Sequence, residues 1–299
     1  MEPQNNNSIT TLLTKAFKRI DEVGSAPNGV IGIPSGYKEL DACTLGWQPS
    51  NFVIIAGRPA MGKTALALNL ARNAAVDYNK SVLYFSMDES SAHLTNRLLS
   101  IETSIACEKI RKALLEPIEL KDMNSKIEGL LHSPLFIDDT AFLSVEELCK
   151  RAREFTYAQN IKLIVIDYLQ LLDTSSNNEQ AKHICVSLKK LAKELNLPII
   201  ALSQLPRSVE LRKKDKRPLV KDLRELGIPD QITDMVIFLY RASYYGMEKA
   251  DNDLPENSAE LSISKNRNGS YKLIVLDFIE RIGKFVEFEQ STFNLLYKD

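Results

Sequence analysis

The chain has 299 residues, 44% hydrophobic and 26% charged, enough apolar material for a sizeable core in about one or two domains without metal or disulfide staples. Thirty-eight basic side chains against thirty-nine acidic ones leave a net charge of −1, which excludes a surface coated in positive charge but not a local basic channel. No apolar run reaches the roughly 18 residues of a membrane span and MEPQNNNSITT has no signal-peptide core. Four scattered cysteines and three isolated histidines form no zinc or disulfide pattern, so the chain reads as a cytoplasmic protein with reduced thiols.

Residues 1–7 are polar and expected to be disordered. From Ser8 to Val23, apolar residues at Ile9, Leu12, Leu13, Ala16, Phe17 and Ile20 keep helical spacing. The Gly- and Pro-rich stretch GSAPNGVIGIPSG then reads as a linker. A short amphipathic helix set off in this way either folds back on its own domain or docks on another molecule. Beyond Asn51, NFVIIAG, SVLYFS, PLFIDD, IKLIVIDYLQLL and PIIALSQ are buried-strand candidates. They alternate with the helical patterns KTALALNLARNAAVDY, SSAHLTNRLLSIE, IELKDMNSKIEGLLH, SVEELCKRAREFTYAQ and EQAKHICVSLKKLAKELN. Strands joined by crossover helices predict an α/β fold, a parallel sheet flanked by helices. After residue 230, MVIFLYRA, AELSISKNR, YKLIVLDFI and GKFVEFE follow one another by short turns and predict an antiparallel C-terminal extension. The expected division is 1–31 for the start, helix and linker, and 32–299 for the main domain.

Gly57-Arg58-Pro59-Ala60-Met61-Gly62-Lys63-Thr64 matches G-x-x-x-x-G-K-[ST] between a strand and a helix that continues through Ala65. Its glycines let backbone amides curl around phosphates at the positive end of the helix dipole. Lys63 would reach the β- and γ-phosphates of a nucleoside triphosphate, and the Thr64 hydroxyl would ligate Mg²⁺. A second acid should hold the metal from a neighbouring strand end. Asp167, closing Leu163-Ile164-Val165-Ile166, suits this better than Asp138 or Asp139, which end another strand. Asp88 and Glu89 follow SVLYFS, which the order of elements would put beside the phosphate loop. Asp88 reads equally as a group that orients the attacking water or as a helix cap. Gln204, ending PIIALSQ, faces the same edge and is placed to sense the γ-phosphate.

Between Pro206 and Arg224 lie eight basic side chains, Arg207, Arg212, Lys213, Lys214, Lys216, Arg217, Lys221 and Arg224. Three acidic ones leave a local excess of five, and the run contains no aromatic residue. This composition suits phosphate contacts without base reading.

The segments GIPSGYKELD, LGWQPS, AGRPAMGKT, VIDYLQLL, SLKKLAKELNLPIIALSQLPRSVE, DKRP, DLREL and SKNRNG run in collinear order from Gly32 to Gly269. Together they resemble the RecA-like ATPase half of the DnaB-family replicative hexameric DNA helicases. The resemblance implies a ring that encircles single-stranded DNA, moves 5′→3′ and binds ATP between subunits. It implies a primase and a loader as partners of the full-length protein. The family's amino-terminal primase-binding domain has no counterpart here, which fits a phage-encoded helicase or a cut chain. Residues 8–23 match the linker helix that packs on a neighbouring subunit. Arg267 matches the arginine finger and Lys265 its companion. Arg224, Glu225 and Gly227 match the segment that follows the DNA backbone, and the channel loops fall near 173–182 and 206–228.

The family pattern F-S-L-E-M reads here Phe85-Ser86-Met87-Asp88-Glu89, so Asp88 takes the place of the catalytic Glu and is one methylene shorter. Misplacing a catalytic group by about 1 Å can cost around a hundredfold in rate. Leu226 stands where Ser is usual and Asn177 where Arg is usual, which implies weaker DNA contact by the first loop. Two other readings compete with the motor: a nucleotide-held ring scaffold with little turnover, and a filament-forming strand-exchange ATPase.

Overall fold

The structure is a computed structural model that describes residues 8–26, 29–172, 178–212, 215–245 and 257–288. Its helices are α1 (Ile9–Ser25), α2 (Lys38–Thr44), α3 (Lys63–Arg72), α4 (Ser91–Thr103), α5 (Cys107–Arg111), α6 (Pro117–Lys126), α7 (Glu128–Leu131), α8 (Val145–Gln159), α9 (Asn178–Leu195) and α10 (Val220–Glu225). Its strands are β1 (Phe52–Gly57), β2 (Val82–Ser86), β3 (Leu135–Asp138), β4 (Leu163–Asp167), β5 (Ile199–Gln204), β6 (Met235–Tyr240), β7 (Ser258–Asn266), β8 (Lys272–Ile279) and β9 (Lys284–Glu287). They form one nine-stranded sheet in the order β3-β2-β4-β5-β1-β6-β7-β8-β9. This is the expected RecA-like α/β architecture.

The uninterrupted apolar runs of β1, β2 and β4 follow from burial on both faces, since successive side chains alternate across a sheet. Val53 and Ile55 join a core with Leu66, Leu70 and Tyr84 under α3. Phe52, Ile54 and Ala56 join the opposite core with Leu148 of α8 and Leu188 of α9.

Two sequence expectations are corrected by the strand order. β2 does not lie beside β1, because β4 and β5 intervene; the end of β2 pairs instead with the end of β4, Ser86 opposite Asp167. The antiparallel extension starts one strand late. β6 pairs parallel with β1, and only β7, β8 and β9 run antiparallel. MVIFLY is apolar throughout because it sits inside the sheet with both faces covered.

α1 begins at an N-cap Ser8 whose hydroxyl accepts from the Thr11 amide. None of its residues is buried, and Leu13 and Phe17 are 50% and 65% exposed. The helix has therefore not folded its apolar face onto its own domain. Arg19 touches that domain, donating to Gln48 Oε1 at 2.7 Å. From Ile33, bridged to Trp47, the chain is already part of the core.

Candidate nucleotide and DNA site

β1 delivers Gly57 to the carboxyl edge of the sheet, and α3 starts at Lys63. Between them Gly62 adopts φ +95°, the left-handed region that favours glycine, and a Cβ there would press on Phe285 Cζ at 3.3 Å. The first-turn amides of α3, at Lys63, Thr64 and Ala65, have no carbonyl partner inside the helix and are available to an anion. Lys63 Nζ donates to the Arg58 carbonyl at 2.9 Å, inside its own loop. Burial, with Arg58 adding to it against the pull of Asp167, pushes its ammonium down to about 8.

Asp167 is 4% exposed. It accepts from the Tyr84 hydroxyl at 2.9 Å, and the Thr64 side chain also bonds to it. Burial raises its pKa, while those two hydrogen bonds and Lys63 pull it back. A buried carboxylate beside a hydroxyl at the mouth of a phosphate loop is a set of hard oxygen donors, the chemistry Mg²⁺ requires. The residues fit a magnesium nucleotide. Tyr84 was not read from the sequence, where it is one aromatic in an apolar strand. Asp138 and Asp139 are engaged elsewhere: Asp138 pairs with Arg151 at 3.0 Å, and Asp139 accepts from the Ser91 amide at 2.7 Å.

Asp88 is exposed, and its carboxylate makes no hydrogen bond or ion pair among the described residues. It is not the helix cap; Ser90 caps α4 by accepting from the His93 amide. Glu89 is committed to Arg97 at 2.8 Å. Its charge nonetheless reaches Asp167, whose pKa it raises.

Gln204 ends β5 opposite Gly57 of the phosphate loop. Its amide donates to Gln170 Oε1 at 3.2 Å, and Gln170 Nε2 donates back to the Gln204 carbonyl at 3.1 Å and to Ser203 Oγ at 3.0 Å. Gln170 thus ties the segment after Asp167 to the end of β5, and the sequence signal for it was its place in VIDYLQLL. Arg58 performs a similar tie. It donates to the Leu205 carbonyl at 2.5 Å and to Glu210 at 2.8 Å, which fastens the phosphate loop to the start of the basic run.

Lys265 and Arg267 are not at this edge. Lys265 donates to the carbonyls of Asp230 and, at 2.6 Å, Thr233. Arg267 donates to the Gln231 carbonyl at 2.7 Å and to Asp234 at 3.1 Å. Asp234 in turn accepts from the Phe52 amide at 2.8 Å, at the amino end of β1. At about 3.3 Å per residue, that strand separates them from Gly57 by roughly 17 Å. Neither cation can serve the phosphate loop of its own chain.

The basic run is less free than its composition suggested. Arg212 is spent on the buried Asp222, and Arg217 grips Glu260, 3% exposed, at 2.6 and 2.7 Å. The Arg212 guanidinium, expected to meet DNA, also neutralises a carboxylate that would otherwise lie buried and unpaired. Arg207 is exposed. Arg224 pairs with Asp230 at 3.0 and 2.8 Å, and Glu225 accepts from Ser208 at 3.2 Å. Gly227, at φ +71°, packs so closely that a Cβ would lie 2.5 Å from Asn178. Lys213, Lys214 and Asn177 lie outside the described residues.

The DnaB-like helicase C terminal domain family matches residues 32–287. The chain belongs to the DnaB-like helicase family. It is 38% identical over 288 residues to the replicative DNA helicase DnaB of Geobacillus stearothermophilus, covering 95% of this chain and 62% of that one. It is 36% identical, with the same coverage, to the replicative DNA helicase DnaC of Bacillus subtilis. The chain thus spans about three-fifths of the length of these relatives. Among solved structures, the isolated ATPase domain of a DnaB-like helicase superposes with a TM-score of 0.87 at 36% identity, covering 95% of this chain and all of that one. A DnaB-like replicative helicase described with its interactions with primase superposes at 0.84 and 35% identity, covering 97% and 69%. Among the described residues no helix is long and apolar enough to cross a membrane.

Proposed function

We propose that this chain is the ATP-driven motor of a cytoplasmic replicative DNA helicase, with its ATPase domain spanning 32–299 and residues 1–31 serving as linker. The observation that carries the reading is the convergence of Lys63, Thr64 and Asp167 at the carboxyl edge of β1 and β4, within a DnaB-like fold. Gly57 through Ala65 would cradle the phosphates of ATP, and Thr64 with Asp167 would hold Mg²⁺. The ion would supply charge neutralisation to the phosphates. Lys63 would pair with the phosphate oxygens, and Gln204 would respond to the γ-phosphate.

Asp88 is the group proposed to orient the attacking water. Its carboxylate is exposed and uncommitted, whereas Glu89 is held by Arg97. Lys265 and Arg267 would act on the nucleotide of a neighbouring copy, since their own phosphate loop is out of reach. That is the support for a ring, hexameric as in the family, with the unpartnered apolar face of α1 as a second contact. Single-stranded DNA would meet Arg207, Arg212, Arg224, Glu225 and Gly227, with Lys213 and Lys214 beside them and movement 5′→3′. Primase and a loader are proposed as partners of a longer protein.

The test is steady-state ATP turnover with and without single-stranded DNA, for the parent, Lys63→Ala, Asp88→Ala and Glu89→Ala. The motor reading expects DNA to stimulate the parent and both Lys63→Ala and Asp88→Ala to abolish turnover. Turnover surviving in Asp88→Ala but lost in Glu89→Ala would reassign the catalytic carboxylate. A parent that binds ATP and scarcely turns over with DNA present would favour the nucleotide-held scaffold.

A further inference from the structure

The segment Asp230–Asp234, between α10 and β6, holds four cations at once, Arg224, Lys265, Arg267 and Lys189. The Asp230 carboxylate takes Arg224 through both its oxygens, at 3.0 and 2.8 Å. Its main-chain carbonyl takes Lys265, and the neighbouring carbonyl of Gln231 takes Arg267 at 2.7 Å. Arg224 is 62% exposed at its side chain and Asp230 only 19%, so the pair presents its cation outward and keeps its anion against the protein.

The two ends of the segment are held unequally. Asp234 is 4% exposed and anchored three ways, to the Phe52 amide at 2.8 Å, to Lys189 at 2.5 Å and to Arg267 at 3.1 Å. The Asp230 side chain is held by Arg224, which also keeps its carboxyl below the usual carboxylate range. The Asp230 carboxylate occupies the Nε–Nη2 edge of the Arg224 guanidinium, and a phosphate can bind that edge with the same parallel N–H groups. A DNA phosphate that takes this edge competes with the Asp230 carboxylate for it.

We infer that Asp230 is a positioning residue through which single-stranded DNA at Arg224 is sensed by Lys265 and Arg267. The inference rests on the helicase reading above. When a phosphate takes the Arg224 fork, the Asp230 carboxylate is released, with Lys265 the cation already bound to the same residue. The segment pivots about its anchored Asp234 end, which keeps the Nη1 arm of Arg267, while the carbonyls of Asp230 and Gln231 shift Lys265 and turn the Nη2 arm of Arg267. Those two groups are the ones proposed to reach the neighbour's nucleotide. By linkage, occupancy of that nucleotide site changes the affinity for DNA by the same factor.

The experiment compares the parent chain with Asp230→Asn, Asp230→Glu, Arg224→Ala and the double variant Arg224→Ala/Asp230→Asn. Binding is read by fluorescence anisotropy with an oligo-dT probe, and ATP turnover is measured with and without that DNA. Removing the competing carboxylate should tighten DNA binding by up to about fivefold, the scale of an exposed ion pair. Basal turnover should stay within about twofold, while the ratio of stimulated to basal turnover falls toward one. Asp230→Glu should restore that ratio, and Asp230→Asn should add nothing to the loss of DNA affinity in Arg224→Ala. A DNA-responsive parent whose Asp230→Asn variant keeps both its affinity and its stimulation ratio overturns the inference alone. A parent that neither binds the probe nor responds to it overturns the helicase reading and this inference with it.

Discussion

Raising the pH from 7 to 9 should weaken ATP binding to this chain about tenfold, through Lys63. Its ammonium lies in the buried mouth of the phosphate loop, donating to the Arg58 carbonyl at 2.9 Å. Burial pushes its pKa down to about 8, Arg58 works in the same direction and Asp167 opposes it. Only the ammonium can pair with phosphate oxygens, and once paired its pKa returns toward its ordinary value of about 10.4. Nucleotide binding therefore takes up a proton. The uptake should be about 0.1 per nucleotide at pH 7, about 0.5 at pH 8 and about 0.9 at pH 9. The accumulated loss from pH 7 to 9 is about 1.4 kcal/mol, or one tenfold step.

The same shift has the opposite sign for folding. The unfolded chain keeps this proton to about 10.4, so between about pH 8 and 10.4 the unfolded state binds more protons and the stability cost of the buried Lys63 ammonium is relieved as pH rises. Isothermal titration calorimetry with a non-hydrolysable ATP analogue and Mg²⁺, in two buffers of different ionisation enthalpy, reads the uptake directly. Equal uptake at pH 7 and 9, or a pH dependence that survives Lys63→Ala, would refute the reasoning.

Asp167→Asn removes a buried carboxylate whose pKa is raised chiefly by burial. At neutral pH the charge costs stability, so the variant should melt higher, by about 2–4 °C per kcal/mol gained, while turnover falls at least about a hundredfold. Differential scanning calorimetry beside an ATPase assay checks both, and a lowered melting point would count against the sign. Leu13→Ser combined with Phe17→Ser alters exposed positions of α1 and should change the stability of the chain by no more than about 0.5 kcal/mol. Light scattering with nucleotide should nevertheless show smaller assemblies, whereas a large loss of stability would mean that α1 packs on its own domain.

What could be read without the fold was local. The phosphate loop is eight consecutive residues whose glycines, lysine and threonine carry their meaning by spacing alone, and its strand and helix follow from neighbouring residues. Asp167 and Gln204 were legible because a polar residue closing a buried, mostly apolar strand falls at the carboxyl edge of the sheet. Only the tertiary structure decided matters that depend on which distant segments cross. Two strands intervene between β1 and β2, and β6 is parallel because it enters beside β1 rather than beside β8. Arg212 and Arg217 look like a basic surface in the sequence, yet they neutralise Asp222 and Glu260, and the second of these lies 43 residues away. The cradle of Asp230 to Asp234 around Lys265 and Arg267 joins residues more than thirty positions apart. Apolar periodicity and turn chemistry act over a few residues and can be read from them. Ion pairs form wherever the chain brings opposite charges together, and that is known only once the strands are in order.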